Sequence, residues 1–271
     1  GVGAAMLSLL VAAFAWRFLQ EPRLATTTSG GHGAPPVTTG RAAVARVLAH
    51  WREPASRLIW IYAVGIGAFY GTIQIVPLLL VERLGVTERN IGYFVMYLGG
   101  MGVVVRSLVL GRAVDRLGEA RLARIGIVLL AAGLVATGLA HGPALLFAGF
   151  TLMPLGTAFL FPCTTGLLSR VIRSSERGLY MGVQHTFGGV SRVAFPIAAG
   201  VLMDRFGVGV PFWIAGLLVL VTLPLTGALA GYLDRRPAEA AAARRLAAAD
   251  VTAELPAPAA AAETRRAEAA P

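Results

Sequence analysis

The chain has 271 residues, of which 56% are hydrophobic and only 14% charged, with a mean hydropathy of +0.70. This balance excludes an ordinary water-soluble domain and points to lipid as the solvent of the fold. The formal charge of +10 comes from 24 basic residues, all of them Arg and most of them between apolar runs, so the charge reads as membrane topology and not as a nucleic-acid footprint.

A bilayer core of about 30 Å needs roughly 20 apolar residues in a helix. The first such run, residues 1–20, has no basic residue in front of it and no small-residue cleavage site before Arg17. It therefore reads as the end of a helix that begins upstream, not as a signal peptide. Residues 21–57 read as a cytoplasmic linker: a Gly/Pro/Thr stretch at 26–40 cannot bury a core, and the basic piece at 45–57 suits the membrane surface. Six complete apolar runs follow, near 58–81, 90–111, 124–141, 144–169, 178–203 and 211–233. From Asp234 the chain turns to Ala, Glu, Arg and Pro, with no apolar stripe to dock, and a disordered tail is expected over 234–271.

Arg marks the sidedness. It is concentrated before the first complete run (Arg23, Arg41, Arg46, Arg52, Arg57), after the second (Arg112, Arg116, Arg121, Arg124) and after the fourth (Arg170, Arg173, Arg177), whereas the other side carries Arg83, Arg89 and Arg205. The positive-inside rule places the first set and the tail in the cytoplasm.

Polar residues inside the runs are the candidate pathway. Arg192 stands near the middle of the fifth run, where a charge costs roughly 2.5–3.5 kcal/mol, so it should face protein or water. His185, seven residues earlier, returns to within about 20° of the same helix face and is able to carry a proton or bond a substrate. The alternatives are an Arg that ties helices together and a His satisfied by a carbonyl. In the first complete run Gly67, Tyr70 and Gln74 share a face, with Pro77 breaking the hydrogen-bond ladder above them. Arg106 either snorkels to the headgroups or lines an inner mouth. Pro154 and Pro162, with Gly156 and Gly166, favour a bent fourth helix at a cavity wall. GxxxG pairs at 67–71, 178–182 and 227–231 permit close helix approach. All 14 acidic residues fall in loops, tail or helix ends, so this segment has no deep carboxylate for a coupled proton. Cys163, the single cysteine, reads as a small packed residue, which leaves no disulfide and no soft metal cluster. No metal site, cofactor or enzyme constellation is expected: there is no Lys for a phosphate loop, no HExxH and no GxSxG.

GRAVDRLG at 111–118 is echoed by GVLMDRFG at 200–207. The copies follow the second and the fifth complete runs, and an odd number of spans puts them on opposite sides, which makes an inverted three-plus-three repeat. In the first copy Gly111 lets the helix end pack closely on a neighbour, Gly118 permits a tight turn, and Asp115 and Arg116 supply charges for a latch or, more plainly, for an ordinary turn.

GRAVDRLGEARLARIG resembles the loop between the second and third helices of each half of major facilitator transporters. Together with RGLYMGVQHTFGGVSRVAFPIAAG at 177–200 it is similar to bacterial drug:proton antiporters of the tetracycline-efflux type. In that group Gly usually precedes the Pro of this helix, where this chain has Phe195. The resemblance implies an all-α membrane protein whose residues 58–233 are helices seven to twelve of a twelve-helix transporter, and it adds Gln184 to the pathway residues. It also implies a cytoplasmic gate of Gly111, Asp115, Arg116, Gly118, Glu176 and Arg177, with Arg170 and Arg173 as partners for Asp115. The implied partners are a small amphipathic substrate, a proton, membrane lipid and a missing six-helix first half; the acid of a proton-driven transporter lies in that missing half, or His185 substitutes for it. Rival readings are a non-transporting scaffold or sensor, a half-size transporter acting as a homodimer, and a carrier of an organic anion.

Overall fold

The structure is a computed structural model that describes residues 2–18 and 39–227; the expected tail and most of the Gly/Pro/Thr stretch lie outside them. The described residues are helical throughout their ordered elements, as hydrocarbon demands of a backbone that must satisfy its own polar groups. The chain divides into two units at Val37/Thr38. The first holds α1 (Val2–Phe18), an apolar helix.

The second unit opens with α2 (Gly40–Ala49), inside the stretch expected to be linker. Ala43 and Val47, one per turn, are fully buried in a cluster with Tyr180, Val183 and Leu168, so this segment is pinned by a narrow apolar edge. Arg46 Nε donates to both oxygens of Glu53 at 3.0 and 3.2 Å, and this contact raises the guanidinium above its ordinary pKa.

Helices follow the first five expected runs and are mostly longer than them, and the sixth run is helical as far as it is described, to residue 227. The first is α3 (Pro54–Ile73) and α4 (Val76–Leu84); Pro77 has no N–H to continue the ladder, and the helix breaks at Gln74–Ile75 as expected. The second is α5 (Glu88–Val104), a π-helical turn (Val105–Val109) and α6 (Leu110–Leu117). Then come α7 (Glu119–Leu139), α8 (Pro143–Val171), α9 (Arg177–Phe206) and α10 (Val210–Val221), the last followed by a 3₁₀ turn (Leu223–Thr226). Five helices are long and apolar enough to cross a membrane; the sixth is shorter within the described residues. The chain is thus a multi-pass membrane protein.

The tightest seam joins α7 to α8. A Cβ at Gly133 would sit 2.6 Å from the Met153 backbone N, one at Gly156 2.6 Å from Leu130 Cα, and one at Gly126 2.7 Å from Leu160 N. Backbone rests on backbone, the route by which helices pack in lipid without a hydrophobic drive. The expected pair at 178–182 makes no such approach: Gly178 and Gly182 have nothing within 4 Å of an added Cβ, and of the pair at 227–231 Gly227 likewise meets nothing while Gly231 lies outside the described residues. The glycines of the α7/α8 seam recur at seven residues, whereas the expected pair at 67–71 does approach another helix, at Phe195 of α9. Likewise Gly156, expected at a cavity wall, is buried in this seam.

The echoed sequences take the same backbone. Both are helical to their last residue but one, so they are helix ends and not loops. Both then end on a glycine of positive φ, Gly118 at +76° and Gly207 at +93°, whose N–H closes on Val114 O or Met203 O at 2.9 Å. Such a φ strains any residue with a Cβ. The spans that carry them, the second and the fifth, are alike in burial: only 17% of their most apolar stretch is covered, against 56–67% for the first, third and fourth.

Candidate functional site

α9 lies along α3 in the same direction, because Tyr62 meets Gly188 while Gly67 and Gly71 meet Phe195. That pairing brings four polar or aromatic side chains to one side. The Arg192 guanidinium lies 4.8 Å above the Tyr70 ring. His185 sets its ring edge-on to Tyr62 at 6.2 Å, and Tyr62 in turn meets Phe161 at 5.6 Å. Arg192, His185 and Tyr70 are exposed; they open onto the part of α9 that this chain leaves unpacked. A guanidinium stacked on a phenol away from bulk water gains roughly 0.5–2 kcal/mol, which answers the partner that a mid-span charge requires.

Three expected pathway residues stand elsewhere. Gln184 is fully buried between α8 and α9, its Oε1 3.5 Å from Thr165 Oγ1 and its Nε2 without a partner among the described residues. Its position one residue from His185 turns it about 100° toward the helix interface. Arg106 is exposed on the π turn of the second span and belongs to no contact with the Arg192 cluster. Gln74 is exposed at the α3/α4 break, but Gly67, expected to share its face, lies under the Phe195 ring.

Phe195 and Tyr62 were not singled out by spacing. Each is explained only by a residue on another helix: the Phe195 ring fills the notch of Gly67, where a Cβ would come within 2.7 Å of its Cε2, and its own Cβ and backbone lie 2.9–3.2 Å from one at Gly71. Phe195 thereby fixes the register of α9 on α3. Gly67→Ala is expected to lower the thermal midpoint and the transport rate, and Phe195→Ala in the same chain to restore both, as measured by unfolding in detergent and by flux.

At the other end of the spans, Arg170 Nη2 donates to Glu119 Oε1 at 2.8 Å. This corrects the expected pairing of Arg170 with Asp115. Glu119 stands in the first turn of α7, the helix that packs on α8, and Gly166 leaves its carboxylate room, an added Cβ lying 3.1 Å from Oε1. The Glu119 side chain is 15% exposed and its Oε2 is buried without a partner, whereas Arg170 remains 66% exposed. Asp115 and Arg116 are exposed on the last turn of α6, Arg173 is exposed beyond α8, and Asp115 makes no ion pair among the described residues. Arg177 Nε donates to Ser169 O at 3.1 Å, and Glu176 lies in the short turn before α9. Gly111 does not pack on a neighbour as expected: an added Cβ meets nothing within 4 Å, and the same holds at Gly200 in the echo. Either single reversal, Glu119→Arg or Arg170→Glu, should set like charges together at the mostly buried Glu119 end of the pair and change thiol accessibility along α8, and the double reversal should restore it in part.

Five helices long and apolar enough to cross a membrane, a shorter sixth, and an Arg stacked in mid-span define an all-helical membrane fold. A family model described as Major Facilitator Superfamily matches residues 94–265, and the chain belongs to that family. It is 30% identical over 129 residues to an uncharacterized MFS-type transporter of Mycobacterium tuberculosis, covering 45% of this chain and 22% of that one. It is 25% identical over 176 residues to multidrug resistance protein 2 of Bacillus subtilis, covering 62% and 41%. The chain spans less than half the length of these curated relatives. The crystal structure of the human organic anion transporter MFSD10 superposes with a TM-score of 0.61 at 20% identity, over 69% of this chain and 46% of that one, a likeness of fold.

Proposed function

We propose that this chain supplies helices seven to twelve of a secondary transporter that exports a small amphipathic molecule in exchange for protons by alternating access. The observation that carries the reading is Arg192, placed mid-span over Tyr70 and open on the uncovered side of α9. Residues 1–20 are then the end of helix six, 21–57 the central cytoplasmic linker, 58–233 the transport half and 234–271 a cytoplasmic tail. The first six helices cover the second and fifth spans, whose exposed faces support such a partner. His185 serves as the proton-binding group, since every acid of the described spans stands at a helix end. Glu119, Arg170, Glu176 and Arg177 belong to the cytoplasmic gate, with Asp115 and Arg116 facing the absent half. The host membrane is a bacterial inner membrane, with both ends of the six-helix unit in the cytoplasm.

The full-length protein in proteoliposomes should move amphipathic fluorescent compounds when a pH gradient is imposed, and His185→Gln should leave exchange at equal pH while removing the drive of the gradient. No flux under either a pH gradient or a membrane potential would overturn the proposal. Cysteines placed at Leu117 and Phe206 should be labelled from opposite faces of the membrane; labelling from the same face would end the inverted topology. A second reading has its own support: a cation without a carboxylate beside it suits an organic anion, and preference for anionic over cationic dyes would favour that cargo.

A further inference from the structure

A crevice of about 280 Å³ opens between α3, α9 and α10. Ala68, Gly71 and Ala215 form its buried floor, and Ala194, Ala198 and Leu218 its exposed rim. The space exists because these residues are small; no side chain of the described chain fills it. Its only hydroxyl, Thr72 Oγ1, is occupied by its own helix, 2.7 Å from Ala68 O and 3.1 Å from Phe69 O. With no free donor or acceptor on its side chains, the crevice offers water nothing and hydrocarbon a good fit, as apolar cavities do in general.

Its place along the span identifies the hydrocarbon. From Leu202 to Ala194 the wall runs about 6–18 Å from the Phe206 end of α9 at 1.5 Å per residue, the depth of one leaflet's chains in a core about 30 Å thick. Ala194 and Ala198 stand about 200° and 240° around α9 from Arg192, so the crevice does not share the opening of the Arg192 cluster.

We propose that this crevice is a binding site for a single lipid acyl chain from the leaflet in which α9 ends. None of the Arg192 cluster lines it, and it rests on the transport reading only in requiring that the first six helices leave this flank of α9 and α10 to lipid. The full-length protein in vesicles of phosphatidylethanolamine and phosphatidylglycerol, doped with a phosphatidylethanolamine carrying a mid-chain diazirine, tests it. Photolysis should place carbene adducts preferentially on the α9 and α10 peptides holding Ala198 and Leu218. Ala198→Trp should lower those adducts at least fivefold, and Val193→Trp, on the opposite flank of α9, should leave them unchanged. Should the Trp variant not fold, Ala198→Leu gives the same comparison with a smaller drop. Adducts spread evenly over all lipid-facing helices, or unaffected by Ala198 variants, would overturn the site. Their displacement by an exported compound would also overturn the assignment to lipid, making the crevice a cargo site.

Discussion

Gly156→Leu is expected to prevent assembly of the helical unit, with loss of monodisperse protein on size-exclusion chromatography. The atoms that a side chain would meet at Gly156 are Leu130 Cα and Cβ, 2.6 and 2.7 Å from an added Cβ. Backbone cannot rotate out of the way as the tip of a side chain does, so α7 and α8 must separate along a seam that also holds Gly126 and Gly133. Overpacking a core that yields costs about 1–3 kcal/mol, and this site does not yield; against a total stability of about 5–15 kcal/mol the loss decides folding. Gly182→Ala supplies the contrast. Nothing lies within 4 Å of its added Cβ, and Ala favours helix over Gly by roughly 0.5–1 kcal/mol, so its thermal midpoint should hold or rise. Equal effects at the two positions would refute the seam.

That contrast also shows what the sequence made legible. The six spans follow from apolar length alone, and the break before Pro77 from a missing N–H. The glycine turn at Gly207 was readable because its sequence repeats that of Gly118. Contacts between helices were not readable from one strand of text. GxxxG spacing chose Gly67 and Gly71, which lie against Phe195, but also Gly178 and Gly182, which face nothing, and it passed over Gly126 and Gly133, whose value depends on Gly149 and Gly156 standing opposite. The same holds for the site. Arg192 was visible as a charge in hydrocarbon, but Tyr62 and Phe195 have chemistry that matters only against His185 and Gly67. Glu119 looked like one more acid at a helix end; its burial comes from Gly166, on another helix.

Arg192→Ala is expected to reduce flux by at least tenfold without reducing insertion of the full-length protein. Insertion should not suffer, because removing a mid-span charge relieves roughly 2.5–3.5 kcal/mol. Flux should suffer because the guanidinium over Tyr70 is the only cation in the exposed α3/α9 cluster, and a stacked, partly desolvated cation–π contact contributes up to about 2 kcal/mol, or about 30-fold at 1.4 kcal/mol per decade. Substitutions separate the parts of that contact. Arg192→Lys keeps charge but loses the planar stack, so flux should fall between wild type and the Ala variant. Tyr70→Phe keeps the ring face and should transport nearly as wild type, whereas Tyr70→Ala should match Arg192→Ala. The double variant should be no worse than either single, since two residues that act through one contact are not additive. An Arg192→Ala protein that moves substrate at the wild-type rate would remove Arg192 from the pathway and leave it a tie between helices.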